Sequence, residues 1–73
     1  MLTVFTTKTC GQCKMVKKML NHYGCKYNMV DIEENPDFQK LLLEKTGRTI
    51  VPVTTNGKEY VVGYNVAQIK ALV

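Results

Sequence analysis

The sequence predicts an α/β fold in which three helices flank a four-stranded mixed sheet, in the chain order βαβαββα. Short runs of β-branched and aromatic residues alternate with segments whose apolar residues recur at helical spacing, which indicates strands and amphipathic helices. The last two predicted strands are joined by Asn56-Gly57, a sequence typical of hairpin turns. Because the first two strands need a right-handed crossover and the last two need only a turn, the sheet should contain parallel and antiparallel pairs.

The first half of the chain has the pattern of strand, helix and strand. Residues 2–5 form a short apolar run that ends in polar residues, as a strand entering a loop does. From Cys13 onward, apolar residues recur at i, i+3, i+4 and i+7, which predicts an amphipathic helix that ends near Gly24. The expected buried stripe of this helix is Val16, Met19, Leu20 and Tyr23. Residues 26–30 alternate between polar and apolar and predict the second strand.

The second half has the pattern of helix, hairpin and helix. Asn35-Pro36-Asp37 supplies an N-cap, a first-turn proline and a first-turn acid, and Gly47 is placed to end that helix. Residues 51–55 and 58–62 form the hairpin strands, and Asn65 caps a third helix. Phe38, Leu41 and Leu42 form the expected buried stripe of the first of these helices. The last helix is expected to run through Val66, Ile69 and Val73. This order of elements resembles the thioredoxin-like arrangement.

Length and composition indicate one small folded domain over residues 1–73, with a single core. A hydrophobic fraction of 45% and a charged fraction of 22% are ordinary for a globular protein and exclude a disordered chain. The first residues contain neither a basic lead nor an apolar run of the length of a signal peptide or a membrane span. We therefore expect a cytoplasmic, monomeric protein that does not bind membranes.

Charge is unevenly distributed in a chain whose net charge is +4. Residues 1–30 contain five lysines and no acid, whereas all six acids lie later. The lysines have three alternative roles: a solvated helix face, stabilisation of a thiolate, or steering of an acidic partner. No nucleic-acid recognition motif accompanies the charge, so nucleic acid is not an expected partner.

The spacing Cys10-Gly11-Gln12-Cys13 points to thiol chemistry. Three cysteines are an odd number, which argues against a closed disulfide framework, and in a reducing compartment such a pair is more often catalytic or metal-binding. Cys10 lies between a strand end and a helix start, where unpaired backbone N–H groups and the helix dipole favour a thiolate. Cys13 is in register with the buried stripe and should be less accessible. We therefore expect Cys10 to attack and Cys13 to resolve the mixed disulfide.

A zinc site is the alternative use of these cysteines. Cys10, Cys13, His22 and Cys25 can be written as four zinc ligands. A helix over residues 13–23, however, would place the last two roughly 14–18 Å from Cys13, at ~1.5 Å per residue. We therefore expect no metal and no bound cofactor, and give His22 no role. Cys25 is expected to be a small apolar filler, with a regulatory thiol as the alternative.

Three stretches of the sequence match motifs of a known family. They are Phe5-Thr6-Thr7-Lys8-Thr9-Cys10-Gly11-Gln12-Cys13, Thr46-Gly47-Arg48-Thr49-Ile50-Val51-Pro52 and Gly63-Tyr64. On these motifs the chain resembles the glutaredoxins over nearly its whole length, and within them it is most similar to the NrdH-redoxins. The resemblance implies a dithiol–disulfide oxidoreductase with Cys10 as nucleophile and Cys13 as resolving thiol.

The resemblance also implies a surface for substrates and partners. Val51-Pro52 would form a cis-peptide loop beside the cysteines, and the Val51 backbone would pair with an extended substrate segment. From the residues alone, a trans proline that opens an edge strand is the alternative. Gln12, Gly63 and Tyr64 complete the expected surface, with an aromatic lid over the hairpin as the alternative role of Tyr64.

The motifs differ from those of glutathione-dependent relatives, which typically carry Cys-Pro-Tyr-Cys, a lysine three residues before the first cysteine, and Gly-Gly-x-Asp-Asp. This chain has Gly11-Gln12, Thr7 and Asn65-Val66 at the corresponding positions. Without those carboxylates, recognition of the glutathione ammonium group loses a charge-assisted contact worth roughly 1.5–3 kcal/mol. Gln12 and Gly63-Tyr64 are similar to NrdH-redoxins, which are recharged by thioredoxin reductase and reduce ribonucleotide reductase.

The resemblance therefore implies thioredoxin reductase as reductant, a protein disulfide such as that of ribonucleotide reductase as substrate, and glutathione as a weak partner only. Two alternatives stay open at this point. One is a glutathione-dependent glutaredoxin, and the other is a zinc-binding interaction module.

Overall fold

Strands and helices alternate along the chain as the sequence predicts. The computed structural model describes residues 2–72, so the predicted helical position Val73 lies outside the described part. The elements are β1 (Leu2–Thr6), α1 (Gly11–His22), β2 (Tyr27–Asp31), α2 (Asp37–Thr46), β3 (Val53–Thr55), β4 (Tyr60–Val62) and α3 (Val66–Leu72). The predicted order βαβαββα is confirmed. In this part of the chain, no helix combines the length and the apolar character needed to cross a membrane.

The four strands form one mixed sheet in the order β2-β1-β3-β4. β1 and β2 are parallel, with Thr6 opposite Asp31. β1 and β3 are antiparallel, with Phe5 opposite Val53, and β3 and β4 are antiparallel, with Val53 opposite Val62. The carboxyl ends of β1, β2 and β4 and the amino end of β3 therefore meet at one edge of the sheet.

Two apolar layers hold the helices against the two faces of this sheet. Side chains of adjacent strand residues point to opposite faces, so Val4 belongs to one layer and Phe5 to the other. The first layer joins the sheet to α1 and α3 and consists of Leu2, Val4, Val16, Met19, Leu20, Val61, Ile69 and Leu72. The second joins it to α2 and consists of Phe5, Ile32, Leu42 and Val53. The predicted thioredoxin-like arrangement of sheet and helices is confirmed.

The predicted buried stripe of α1 is right at three positions and wrong at Tyr23. Val16, Met19 and Leu20 are buried, but Tyr23 is 47% exposed. The helix ends at His22, and Tyr23 is its C-cap, with non-helical dihedrals and an N–H that donates to the Met19 carbonyl. Since Tyr23 lies beyond the last helical residue, it does not share the buried face.

The predicted helix caps are confirmed at two of three positions. The Asn65 side chain accepts from the Gln68 N–H at 3.1 Å and caps α3. Gly47 ends α2 in the left-handed conformation, with φ at 77°. Asn35 is not the N-cap of α2, because its side-chain amide donates instead to the Asp31 carbonyl at 3.0 Å. Pro36 takes the N-cap position, without a side-chain cap bond.

The hairpin is shorter than predicted and has a longer loop. Its strands cover three residues each, and residues 56–59 form a four-residue loop in place of a two-residue turn. Asn56 causes this difference, because its Oδ1 accepts from the N–H groups of Lys58 and Glu59 at 2.9 and 2.8 Å and so holds both outside the ladder. Val51 and Pro52 precede β3 and form a separate loop.

Adjacent threonines on β3 allow a test of how buried hydroxyls affect stability. Thr54 is fully buried, and within residues 2–72 its hydroxyl has no hydrogen-bond partner. We expect Thr54→Val to raise the free energy of unfolding by about 1–3 kcal/mol, because an unsatisfied polar group is replaced by a methyl group of the same shape. Urea denaturation of the oxidised protein measures the change.

The matched control is Thr55→Val on the same strand. The Thr55 hydroxyl accepts from the Gly57 N–H at 3.0 Å. Loss of that bond should lower the free energy of unfolding by about 0.5–1.5 kcal/mol. Equal effects of the two substitutions would contradict the assignment of an unsatisfied hydroxyl to Thr54.

Candidate active site around Cys10 and Cys13

The two cysteines lie where β1 passes into α1, at the edge of the sheet where the strand ends meet. Cys10 has extended dihedrals and is the N-cap of α1, and its Sγ accepts from the Cys13 N–H at 3.1 Å. The sulfurs of Cys10 and Cys13 are joined in a disulfide, with their Cα atoms 5.3 Å apart. This separation lies within the usual range for disulfides. The predicted placement between strand and helix is confirmed.

Accessibility separates the two sulfur-bearing residues. Cys10 is partly exposed, whereas Cys13 is 2% exposed and shares the buried face of α1 with Val16 and Leu20. Gly11 and Gln12, between the cysteines, are exposed. A substrate therefore reaches the pair from the Cys10 side.

The helix start provides a favourable environment for negative charge on Cys10. The first turn of α1 contains no acidic residue, so no carboxylate competes for the unpaired backbone N–H groups there. One of these groups, the Cys13 N–H, already donates to Cys10 Sγ. In the reduced protein this bond and the positive end of the helix dipole favour the thiolate of Cys10.

The other predicted site residues lie at the same edge of the sheet, on the β3 side. The peptide bond before Pro52 is cis, which confirms the expectation from the resemblance and excludes the trans alternative. Phe5 pairs with Val53, so Pro52 lies beside the end of β1. The Gly63 N–H donates to the Pro52 carbonyl at 2.7 Å and joins the two loops. Tyr64 follows with 39% of its surface exposed.

A groove on the β2 side of the disulfide was not predicted from the sequence. It has a volume of about 210 Å³, and both cysteines line it. Its other lining residues include three lysines and two residues of β2, namely Lys8, Lys14, Lys17, Met29 and Asp31. We call it the cysteine groove. The spacing of four residues from Cys10 to Lys14 and from Cys13 to Lys17 is the sequence signal that could have indicated it.

Lys8 at the rim of the cysteine groove is already paired within the chain. Its Nζ lies 3.2 Å from Glu34 Oε1, and both side chains are exposed. The hydrogen bond to Glu34 and then the charges of Glu34, Asp31 and Glu33 raise the pKa of Lys8 above its ordinary value. Its charge is therefore balanced locally. An exposed pair of this kind contributes little to stability.

The four residues considered as zinc ligands do not come together. Residues Gly11–His22 form a continuous helix, which places His22 and Cys25 at the end of α1 opposite to Cys10. Within residues 2–72, no group of three or more His, Cys, Asp or Glu side chains is arranged to hold a metal ion. Cys25 is half-buried and packs against the first apolar layer, and its Sγ lies 3.9 Å from the Tyr23 carbonyl.

A larger cavity, of about 480 Å³, lies at the other end of the sheet. Leu2, Cys25 and Leu72 are among its lining residues. It shares no residue with the disulfide or with the Val51-Pro52 loop. We therefore assign the chemistry to the cysteine end and not to the larger cavity.

A mixed four-stranded sheet with a CxxC disulfide at the start of its first helix defines a dithiol–disulfide oxidoreductase of the thioredoxin-like class. The chain belongs to the glutaredoxin family, whose model, described as Glutaredoxin, matches residues 2–61. It is accordingly a thiol–disulfide oxidoreductase with Cys10 and Cys13 as its CxxC pair.

Individual relatives include both glutaredoxins and NrdH proteins. The glutaredoxin-like protein NrdH of Lactococcus lactis subsp. cremoris is 40% identical over 55 residues, which are 75% of each chain. The glutaredoxin (grx-1) of Archaeoglobus fulgidus is 26% identical with a TM-score of 0.86, over 97% of this chain and 83% of that one. The NrdH-redoxin of Escherichia coli has a TM-score of 0.89 over 99% and 93% of the two chains and, at 24% identity, shows the shared fold.

The environment of Cys10 predicts its reactivity relative to Cys25. In a Cys13→Ser variant, we expect iodoacetamide to alkylate Cys10 about tenfold faster than Cys25 at pH 7, because a thiol at a helix N-terminus has a larger thiolate fraction than an ordinary one. Mass spectrometry of the alkylated peptides over time measures both rates in one sample.

The same variant in guanidinium chloride is the control, since unfolding removes the helix start. The two rates should then be similar. Equal rates in the folded variant would show that the start of α1 does not activate Cys10.

Proposed function

We propose that this protein reduces disulfides of protein substrates, with Cys10 as the attacking thiolate and Cys13 as the resolving thiol. The observation that carries the proposal is the contrast between the partly exposed Cys10 at the N-cap of α1 and the buried Cys13 one turn later. The proposed reaction requires the cysteines to be reduced between cycles, and therefore a reducing compartment such as the cytoplasm. One domain, acting as a monomer, is sufficient for it.

The exchange takes place in two steps. The Cys10 thiolate attacks one sulfur of the substrate disulfide, forms a mixed disulfide with it and releases the other substrate sulfur as a thiolate. The Cys13 thiol loses its proton and attacks Cys10 Sγ, which releases the second substrate thiolate. Two electrons pass to the substrate, and the protein is left with the Cys10–Cys13 disulfide.

The loops beside the disulfide support recognition of an extended substrate segment. Val51 is half-buried and precedes the cis proline at the end of β1, where its backbone can pair with a substrate strand. The bond from Gly63 to the Pro52 carbonyl holds the second loop against the first. We assign substrate and partner contacts to these residues and to the exposed Gln12 and Tyr64.

We further propose thioredoxin reductase as the reductant and ribonucleotide reductase as a substrate. Asn65 and Val66 supply no carboxylate for the glutathione ammonium group, and the Asn65 side-chain oxygen is occupied by the cap of α3. The similarity to the Lactococcus lactis NrdH supports the same assignment. So does the Escherichia coli NrdH-redoxin, a glutaredoxin-like protein with a thioredoxin-like activity profile. The alternative is a glutathione-dependent glutaredoxin, and the match to the Glutaredoxin family model supports it.

Trapping distinguishes the roles of the two cysteines. We expect Cys13→Ser to stop at a mixed disulfide through Cys10, because the resolving thiol is missing, and Cys10→Ser to be inactive. Mass analysis after exposure to a protein disulfide locates the adduct, and Cys25→Ser serves as the control with unchanged turnover. A stable adduct on Cys13 of Cys10→Ser, with none on Cys10 of Cys13→Ser, would reverse the assigned roles.

Reductant choice is tested by recharging the oxidised protein. We expect NADPH with thioredoxin reductase from the same organism to reduce the Cys10–Cys13 disulfide far faster than glutathione with its reductase at matched potential. Consumption of NADPH reports both rates. Rapid recharging by glutathione alone would place the protein with the glutathione-dependent glutaredoxins.

The missing carboxylates can also be restored. Asn65→Asp combined with Val66→Asp should raise the rate with glutathione at least tenfold, because a charge-assisted contact of about 1.5–3 kcal/mol is regained. Aspartate at position 65 still caps α3, so the fold should be retained. No change with glutathione would mean that these two positions do not set the choice of reductant.

A further inference from the structure

The cysteine groove lies on the β2 side of the disulfide, away from the surface assigned above to substrate backbone. In the strand order β2-β1-β3-β4, the Val51-Pro52 loop lies on the β3 side of β1 and the groove on the other. Lys14, Lys17 and Met29 line the groove together with both cysteines. The exchange steps described above make no use of these three side chains.

Asp31 is the acid that lines the cysteine groove, and after Glu34 its charge raises the pKa of Lys8. Lys14 and Lys17 lie in the same groove. Neither forms an ion pair with any residue between positions 2 and 72, whereas Lys8 is paired with Glu34. α1 contains no acidic residue, so its helical neighbours offer no partner. Lys14 is the fourth residue of α1, close to the helix end where the dipole disfavours positive charge. The charge of the two lysines therefore contributes nothing evident to the stability of this chain and is available to a partner.

The spacing of these lysines from the cysteines fits a polypeptide that leaves the disulfide along the groove. Lys14 follows Cys10, and Lys17 follows Cys13, by four residues, or about 6 Å along the helix axis. An extended chain advances ~3.3 Å per residue, so carboxylates about two to four residues from the attacked cysteine reach the lysines. Met29, 41% exposed, adds an apolar side chain to the same groove.

We propose that Lys14 and Lys17 form a docking site for an acidic segment of the protein substrate, next to its disulfide. The proposal rests on the proposed function, since it names a substrate class for the same site. Two lysines facing carboxylates in the encounter complex accelerate association, and salt screens this effect. The exchange steps at Cys10 and Cys13 are the same for acidic and neutral substrates. The preference for an acidic substrate therefore lies in the rate at which protein and substrate meet productively.

The experiment compares two synthetic peptides with one intramolecular disulfide each. They are identical except that three glutamates or three glutamines flank the disulfide ring on each side. The second-order rate of peptide reduction by the reduced protein is measured by acid quench and chromatography, in 25 mM and 300 mM NaCl. We expect the glutamate peptide to react about tenfold faster at low salt and to lose most of this advantage at high salt.

The test variant is Lys14→Gln combined with Lys17→Gln, which should remove the preference for the glutamate peptide. The matched control is Lys40→Gln combined with Lys45→Gln, two exposed lysines of α2 on the other face of the sheet. The control has the same net charge as the test variant and should keep the preference. Circular dichroism confirms that both variants are folded.

The outcomes separate this proposal from the function on which it rests. If the unaltered protein reduces neither peptide, the proposed function is wrong. If it reduces both peptides equally, or if the two double variants lose the preference alike, the function stands and the docking site is wrong. A loss of rate with glutathione disulfide as large as that with the glutamate peptide would assign the lysines to small carboxylates and overturn the proposal.

Discussion

The hydrogen bond from the Cys13 N–H to Cys10 Sγ is the contact on which the site depends. A helix start leaves backbone N–H groups without partners, and an N-cap side chain normally supplies an oxygen to one of them. Here a sulfur takes that place at 3.1 Å. One hydrogen bond therefore caps the helix and also stabilises negative charge on the Cys10 sulfur. Cys10 is held where α1 begins, and Cys13 follows on the buried face.

The register of the sheet brings the other parts of the site to this helix start. Phe5 opposite Val53 and Val53 opposite Val62 place the ends of three strands together. Pro52 and Gly63 each lie one residue beyond a strand and are joined by a 2.7 Å hydrogen bond. A shift of one residue in this register would turn the buried face of β3 outward, so the core and the site are set by the same pairing.

Sequence alone predicts the elements and the reactive pair because both follow from local patterns. The helical period in α1, the cap at Asn65 and the spacing of Cys10 and Cys13 each need only a few neighbouring residues. The wrong predictions at Asn35 and in the hairpin loop arise because a side chain there has more than one possible hydrogen-bond partner nearby. The amide of Asn35 binds the Asp31 carbonyl, and the side chain of Asn56 holds two backbone N–H groups of the hairpin loop. The cysteine groove combines the helical spacing of Lys14 and Lys17 with Met29 of β2, and this proximity of distant segments is not specified by a local pattern.

The ring closed by the disulfide is small, with only two residues, Gly11 and Gln12, between the two cysteines. Residues 11–13 of this ring already belong to α1, so closing it orders little additional chain. The two apolar layers hold the sheet and helices together, and neither includes Cys10 or Cys13. Their contacts therefore do not depend on the disulfide. Forming or breaking the disulfide thus changes the conformational entropy of residues 10–13 and hardly that of the rest of the chain. Electrons can be taken up and released on one scaffold, with reorganisation confined to a single turn of helix.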